Sequence, residues 1–361
     1  MSMETVKASV DAYFDILETS QIGIADIQFF GGEPFLDQDL VLFSIGYARK
    51  AGKERNIQTI FEVTTNGLFS PQYCEWVADN FDCVTLSFEG PEIFQDKIRP
   101  QADGGKSFNQ VFQNAKILSR GPCELTLRAC VSDTNVTEME AIAGWILDNI
   151  PCDSICFETL IPSINSEMNN LKSPDPWIFA MNFCLTGKLL GEYGVSAFTS
   201  GTDIDKIQNS FCPLGRDALI VTPEGKINSC YLPEENWGKV DLDLSIGRLN
   251  IKPDGHSFFD LEQSQINHVR NLASSNNKLC STCFCQYSCA GGCYVNHRNP
   301  IISQQVDDVC IQTRLITIAK LLYQIGAVQL WEHFVGHMQE YTQMVTRNDF
   351  RLEKAICDEK I

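Results

Sequence analysis

Positive charge is what this sequence has least of. Its 361 residues carry 28 Lys and Arg against 46 Asp and Glu, a net charge of −18. Gripping phosphate needs clustered cations, so no nucleic-acid partner is expected. The same deficit disfavours docking on anionic lipid. Long apolar runs are missing as well. None approaches the roughly 20 residues of a membrane span, so no membrane partner is expected. Residues 1–20 mix charged and apolar positions, with neither the apolar core nor the cleavage site of an export signal. Wholesale disorder is excluded by a composition that is 44% hydrophobic and 20% charged. The length suits one large domain or two ordinary ones. Cysteine, by contrast, is abundant, with 16 residues. In a large acidic chain without an export signal this points to metal ligation rather than disulfides, and to the cytoplasm.

The hydrophobic pattern alternates. Val6, Val10, Tyr13, Phe14 and Leu17 form one helical face. Strands are expected over 24–30, 58–64, 83–88, 124–131 and 154–160. Helices are expected between them over 39–52, 71–80, 108–118 and 136–149. Such alternation implies right-handed βαβ units and a parallel sheet. In such sheets ligands sit at the carboxyl ends of the strands, so the turns there form the candidate pocket. Beyond 162 the pattern is irregular, with a polar loop over 163–170 and a helix over 176–193. The tail over 313–345 reads as one long amphipathic helix or a helix pair.

Seven cysteines form a pattern of their own. Cys212 and Cys230 flank Gly225; Cys280-x2-Cys283-x5-Cys289-x3-Cys293 then leads to Cys310. Two short strands, 217–221 and 226–230, around Thr222-Pro223-Glu224-Gly225 would form a hairpin that returns Cys230 toward Cys212. Gly291 and Gly292 allow the backbone to approach an inorganic sulfide and to offer N–H donors. Cys74, Cys83, Cys184 and Cys357 stand singly and read as buried free thiols. That reading fails for the five cysteines within residues 280–293. Two all-cysteine zinc sites would need about eight ligands. The pattern offers seven plus Cys285, so a zinc-stabilised interaction scaffold remains the rival.

This seven-cysteine pattern resembles the SPASM domain of radical S-adenosylmethionine (SAM) enzymes, which binds two auxiliary [4Fe–4S] clusters. The resemblance implies one cluster on Cys212, Cys230 and Cys293, with an open iron or Cys285 as fourth ligand. It implies a second on Cys280, Cys283, Cys289 and Cys310. The earlier part of the chain is similar to a radical SAM barrel. Gly31-Gly32-Glu33-Pro34 resembles the glycine-rich strand end that receives the ammonium of SAM. Thr65-Asn66-Gly67 and Ser87-Phe88-Glu89-Gly90-Pro91 resemble the next two strand ends, although the family more often has Asp where Glu89 stands. Arg128, and more weakly Arg99, is a candidate for the SAM carboxylate; both also read as members of ordinary ion pairs.

The implied fold is α/β: a partial (β/α)6 barrel lacking its first strand over 1–165, a bridging region over 166–210, a Cys-rich α+β SPASM domain over 211–312 and a helical tail over 313–361. The implied activity is that of a maturase acting on a ribosomally made peptide or protein, with a flavodoxin- or ferredoxin-type reductant. In sulfatase-maturing relatives an Asp base follows the second SPASM cysteine. Here Tyr231 stands there, as a donor or a packing residue, which turns the expectation to crosslink or thioether chemistry.

These 361 residues contain no Cys-x3-Cys-x2-Cys, the motif that holds the SAM-cleaving cluster in the family. The expectation is a truncated frame, with a third [4Fe–4S] only if the missing segment is present. Its strand 24–30 would then form an exposed apolar sheet edge. The alternative is a non-catalytic iron–sulfur electron-transfer or peptide-binding partner. Outside these motifs, His333 and His337 are spaced to share a metal but suit a solvated helix face equally. His297 is a candidate cap on the cysteine group.

Overall fold

The computed structural model of the chain describes residues 1–162, 169–212, 218–274, 280–296 and 305–347. His297, Cys357 and most of the loop 163–170 lie outside them. The expected alternation is present. Helix α1 (Met3–Thr19) precedes β1 (Ile24–Phe29), α2 (Gln38–Arg55), β2 (Gln58–Thr65), α3 (Pro71–Asn80) and β3 (Cys83–Ser87). After α4 (Glu92–Ile98) and α5 (Phe108–Leu118) come β4 (Glu124–Val131), α6 (Met139–Asn149), β5 (Ser154–Thr159), α7 (Pro176–Glu192) and β6 (Ser196–Phe198). The strands form one sheet in the order β1-β2-β3-β4-β5-β6. Every register in it is parallel for β1–β2, β2–β3, β4–β5 and β5–β6.

The chain divides into two compact units that cut across the sequence order. One comprises Met1–Leu86, Arg120–Glu124 and Cys212–Ser275; the other holds the remainder. In the first, α1 begins where the Ser2 hydroxyl accepts from Thr5 N at 3.0 Å, satisfying an orphan N–H of the first turn. Its Val6, Val10, Phe14 and Leu17 are buried, as the pattern requires, while Tyr13 stays half-buried. This face packs on α2 and on a small antiparallel sheet of which only one hairpin was expected. That sheet has the order β10-β9-β8-β7, with β7 (Ile220–Val221), β8 (Lys226–Asn228), β9 (Ser245–Ile251) and β10 (Ser257–Leu261). The β7–β8 hairpin turns at Thr222–Gly225 as expected; residue 217 lies outside the described part. Among the described residues β1 pairs with β2 alone, so it is an edge strand, with Ile24 49% exposed.

In the second unit β4 alternates strictly. Leu125, Leu127, Ala129 and Val131 are buried, and Thr126, Arg128 and Cys130 take the other face. Gly90, after β3, has φ +85°, and a Cβ there would meet Ile142 Cγ2 at 2.8 Å. Only glycine fits both the turn and the close approach of α6.

The tail differs from the expectation. It starts earlier and is three helices: α11 (Asp308–Gln324), α12 (Val328–Gly336) and α13 (Met338–Val345). Before α11 lie α8 (Glu234–Gly238), α9 (Gln263–Ser274) and α10 (Gln286–Cys289). Gly326, at φ +72°, and His337 mark the breaks. Every residue from Ile311 to Ala319 is buried, so α11 is a core helix packed on α7 rather than an amphipathic surface helix. The rings of His333 and His337 lie 4.4 Å apart on an exposed helix end, with no third metal-ligating side chain beside them among the described residues.

Candidate functional site

The end of β1 and the end of β2 are tied together by Glu33. Its Oε1 accepts from Thr65 Oγ1 at 2.8 Å and from Phe35 N at 3.1 Å. Its Oε2 accepts from Asn66 N at 2.7 Å. Pro34 opens the short 3-10 helix Pro34–Leu36, whose missing N–H costs nothing at that position. A carboxylate has about four acceptor sites. Three are used internally, so Glu33 is chiefly a clamp with one site left for a cation. The sequence motif did not reveal that division. Gly31, at φ +152°, and Gly32 are exposed, and a Cβ on either would meet nothing within 4 Å. Their backbone therefore borders open space beside the Glu33 clamp. Also within this unit, Tyr231 packs edge-on against Phe30 at 4.7 Å between ring centroids and is 57% exposed.

The strand ends of the second unit separate two residues that the sequence grouped. Glu89 is completely buried. Its Oε1 accepts from Arg99 Nε at 2.5 Å and its Oε2 from Cys130 N at 2.8 Å. Burial pushes its carboxyl up, and Arg99 pulls it back. With no exposed surface, Glu89 braces the turn after β3 against β4. Arg99 is accordingly the ion-pair partner of Glu89. Ser87 is buried at the end of β3.

Arg128 behaves differently. It is half-buried beside Cys156 in the β4–β5 register, and among the described residues its guanidinium makes no hydrogen bond or ion pair. Glu158, two residues along β5, is already engaged by Ser200 N at 2.8 Å and Ser200 Oγ at 2.5 Å. Burial, reinforced by Glu89, pushes the neighbouring Cys130 thiol up to about 12. A guanidinium presents a planar fork of donors that matches a carboxylate or phosphate bidentately.

The cysteine group is built from very short elements. Cys280 starts the 3-10 turn Cys280–Thr282, and Cys289 ends α10. Ala290, Gly291 and Gly292 follow with φ of 46°, 85° and 76°, a left-handed run in which Ala290 N donates to Gln286 O at 3.1 Å and Gly292 N to Cys289 O at 2.9 Å. Cys310 lies in the first turn of α11, whose Asp307 cap accepts from Cys310 N at 2.9 Å. Cys280, Cys283, Cys289 and Cys310 line a single cavity of about 350 Å³, open mouth included. Cys285 lines it too, almost fully buried, which places this thiol with the second group of cysteines. Gly291 N–H donates to the Cys289 thiol, while burial pushes that thiol up to about 12. The hydrogen bond from Cys285 holds the Cys283 thiol below its ordinary value against burial, and Arg314 adds to the effect. Arg314, also in the cavity wall, was not singled out by its motif; the signal was its place one helical turn after Cys310. Among the described residues no three His, Cys, Asp or Glu side chains converge on a single-ion position. Cys212 and Cys230 belong to the first unit, and Cys293 to the second.

No family model matches the sequence. A cysteine-type anaerobic sulfatase-maturating enzyme of Clostridium novyi is 29% identical over 133 residues, 34% of this chain and 35% of that protein. A serine-type counterpart from Bacteroides thetaiotaomicron is 28% identical over 172 residues, 47% of this chain and 40% of its own. The matched region thus spans two fifths or less of these relatives' length. In three dimensions the chain is similar to native anSMEcpe with bound AdoMet, at TM-score 0.65 and 14% identity over 91% of both chains. It is also similar to Streptococcus suis SuiB, at TM-score 0.53 and 16% identity over 80% of this chain and 67% of that one. By sequence over part of its length the chain is similar to anaerobic sulfatase-maturating enzymes, and over most of its length it shares the fold of anSMEcpe.

Proposed function

We propose that the chain is a radical SAM/SPASM-type maturase acting on a ribosomally made peptide or protein, whose hydrogen abstraction, leading to a crosslink or thioether, requires the Cys-x3-Cys-x2-Cys cluster that these 361 residues do not contain. The observation that carries this reading is the single cavity lined by Cys280, Cys283, Cys289 and Cys310. A tetrahedral zinc site needs four thiolates about 2.3 Å from one point. Thiols arranged around a cavity, with Gly291 at its wall, instead suit a cubane. The resemblance in cysteine spacing alone assigns Cys212, Cys230 and Cys293 to a first auxiliary cluster.

SAM bound to a reduced cluster supplies the 5′-deoxyadenosyl radical in this family. This chain's part is to hold and orient SAM. The Gly31-Gly32 backbone and the remaining acceptor site of Glu33 take the ammonium. Thr65 and Asn66 fix Glu33, Ser87 lies at the next strand end, and Arg128 takes the carboxylate. Glu89 acts at one remove, by bracing the backbone of Cys130 two residues beyond Arg128. The peptide substrate, a flavodoxin- or ferredoxin-type reductant and a cytoplasmic setting complete the reading. No described helix is long and apolar enough to cross a membrane.

Anaerobic reconstitution with iron and sulfide tests it. About eight irons per chain are expected for two [4Fe–4S] clusters, together with SAM retained on equilibrium dialysis. Stoichiometric zinc without acid-labile sulfide would overturn the reading. Clusters without SAM retention would leave a cluster-bearing electron-transfer or peptide-binding partner.

A further inference from the structure

Arg314 is buried to all but 4% of its surface, on the core helix α11. A buried guanidinium is costly unless its donors and its charge are answered. Half of this one is answered. Nη1 donates to Val345 O at 2.5 Å and to Arg347 O at 3.2 Å. These carbonyls end α13, where a cation suits the negative end of the helix and fills orphan acceptors. Nε has no hydrogen-bond partner among the described residues. No carboxylate among them forms an ion pair with the group. Arg314 lines the same cavity as Cys280, Cys283, Cys285, Cys289 and Cys310. The end of α13 thus fixes one side of the fork, and the charge stands in the wall of the cysteine cavity.

We propose that Arg314 sets the reduction potential of the cluster held by Cys280, Cys283, Cys289 and Cys310, as a hydrogen-bond donor and fixed positive charge at its sulfurs. The inference rests on the cluster reading above. Four thiolates leave an oxidised [4Fe–4S] unit with net negative charge, and reduction adds another electron. Positive charge and N–H donors at the sulfurs favour the reduced form and raise the potential. The spacing Cys310-x3-Arg314 makes this possible, because residues four apart share one helix face. The helix that supplies a ligand therefore also supplies the tuning cation.

The test uses the full chain, reconstituted anaerobically, with EPR-monitored redox titrations of the wild type, Arg314→Gln and Arg314→Lys. Iron content should be equal in all three. In Arg314→Gln one cluster should shift to lower potential and the other stay in place. Arg314→Lys, which keeps the charge and loses the Nε donor, should shift less. Unchanged potentials in an iron-replete Arg314→Gln protein would overturn the inference and leave the cluster reading intact. Absence of iron and acid-labile sulfide in the wild type would instead overturn the cluster reading. If neither variant takes up its full iron, wild-type protein labelled with 15N-arginine decides. Its reduced cluster should show 15N hyperfine coupling in pulsed EPR, and no coupling would refute the proposed contact.

Discussion

The parallel strands and the cysteine loop stand at opposite ends of a scale of self-sufficiency. On β4, four of eight residues are buried apolar side chains, each contributing about 1 to 3 kcal/mol of transfer free energy for its size. Over 280–296, only Cys285 and Val295 are buried, and the elements there are three or four residues long. The strands are ordered by their own packing. The loop holds thiols and glycines in left-handed conformation, neither of which orders a chain without something to bind. Its order belongs to whatever the thiols hold, as in small metal domains where binding supplies on the order of 10 kcal/mol of folding free energy.

Removing the bound inorganic part is therefore the sharpest way to divide the two regions. Chelating the iron should abolish amide-exchange protection over 280–296 and leave β4 protected. Equal loss in both regions would break the comparison. Cys289→Ser should act on the same region, leaving about four of about eight irons. Among the strand ends, Arg99→Ala should cost about 3 kcal/mol in chemical denaturation, because it strands a buried carboxylate. This is the low end of the usual range, since the Arg99 side chain is 32% exposed. Its pH dependence has a definite sign. The Glu89 carboxyl lies above its ordinary value, so its favourable, protonated form is present at low pH and lost as pH rises through the raised value. The deficit of Arg99→Ala should therefore shrink as pH falls. A deficit that grows toward acid would show that Glu89 is not the group left behind.

Arg128→Ala should leave stability nearly unchanged and weaken SAM binding by about 2 kcal/mol, roughly 30-fold in Kd by calorimetry. A stability loss matching that of Arg99→Ala would mean Arg128 is structural too. The smallest effect is expected at Gly31→Ala. A Cβ meets nothing there, so only backbone strain at φ +152° remains, about 1 to 2 kcal/mol in thermal or chemical unfolding.

How much of this was legible beforehand varies by element. The α1 face and the core strands were readable because burial on one or both sides leaves a periodic trace. Strands β6, β9 and β10 were not. Three residues at an edge, Ser196–Phe198, or a half-exposed ribbon such as Ser257–Leu261 bury too little to leave one. The tail was misread for the opposite reason, since nine consecutive buried residues on α11 carry no amphipathic signal. At the strand ends the motifs marked the right turns, but they set Glu33, Glu89 and Arg128 on an equal footing.

Residue order alone determined the βα alternation, the turns at the strand ends and the thiol-rich segment, since each depends on neighbours within a few positions. Only the tertiary structure decided which charged groups are satisfied by the protein and which are left over for something else. Glu89 and Arg99 neutralise each other, Glu33 is mostly consumed, and Arg128 and the Nε edge of Arg314 remain unclaimed. Desolvation and pairing depend on groups brought together from distant positions. Two arginines that look alike in sequence therefore differ by whether a buried carboxylate happens to face them.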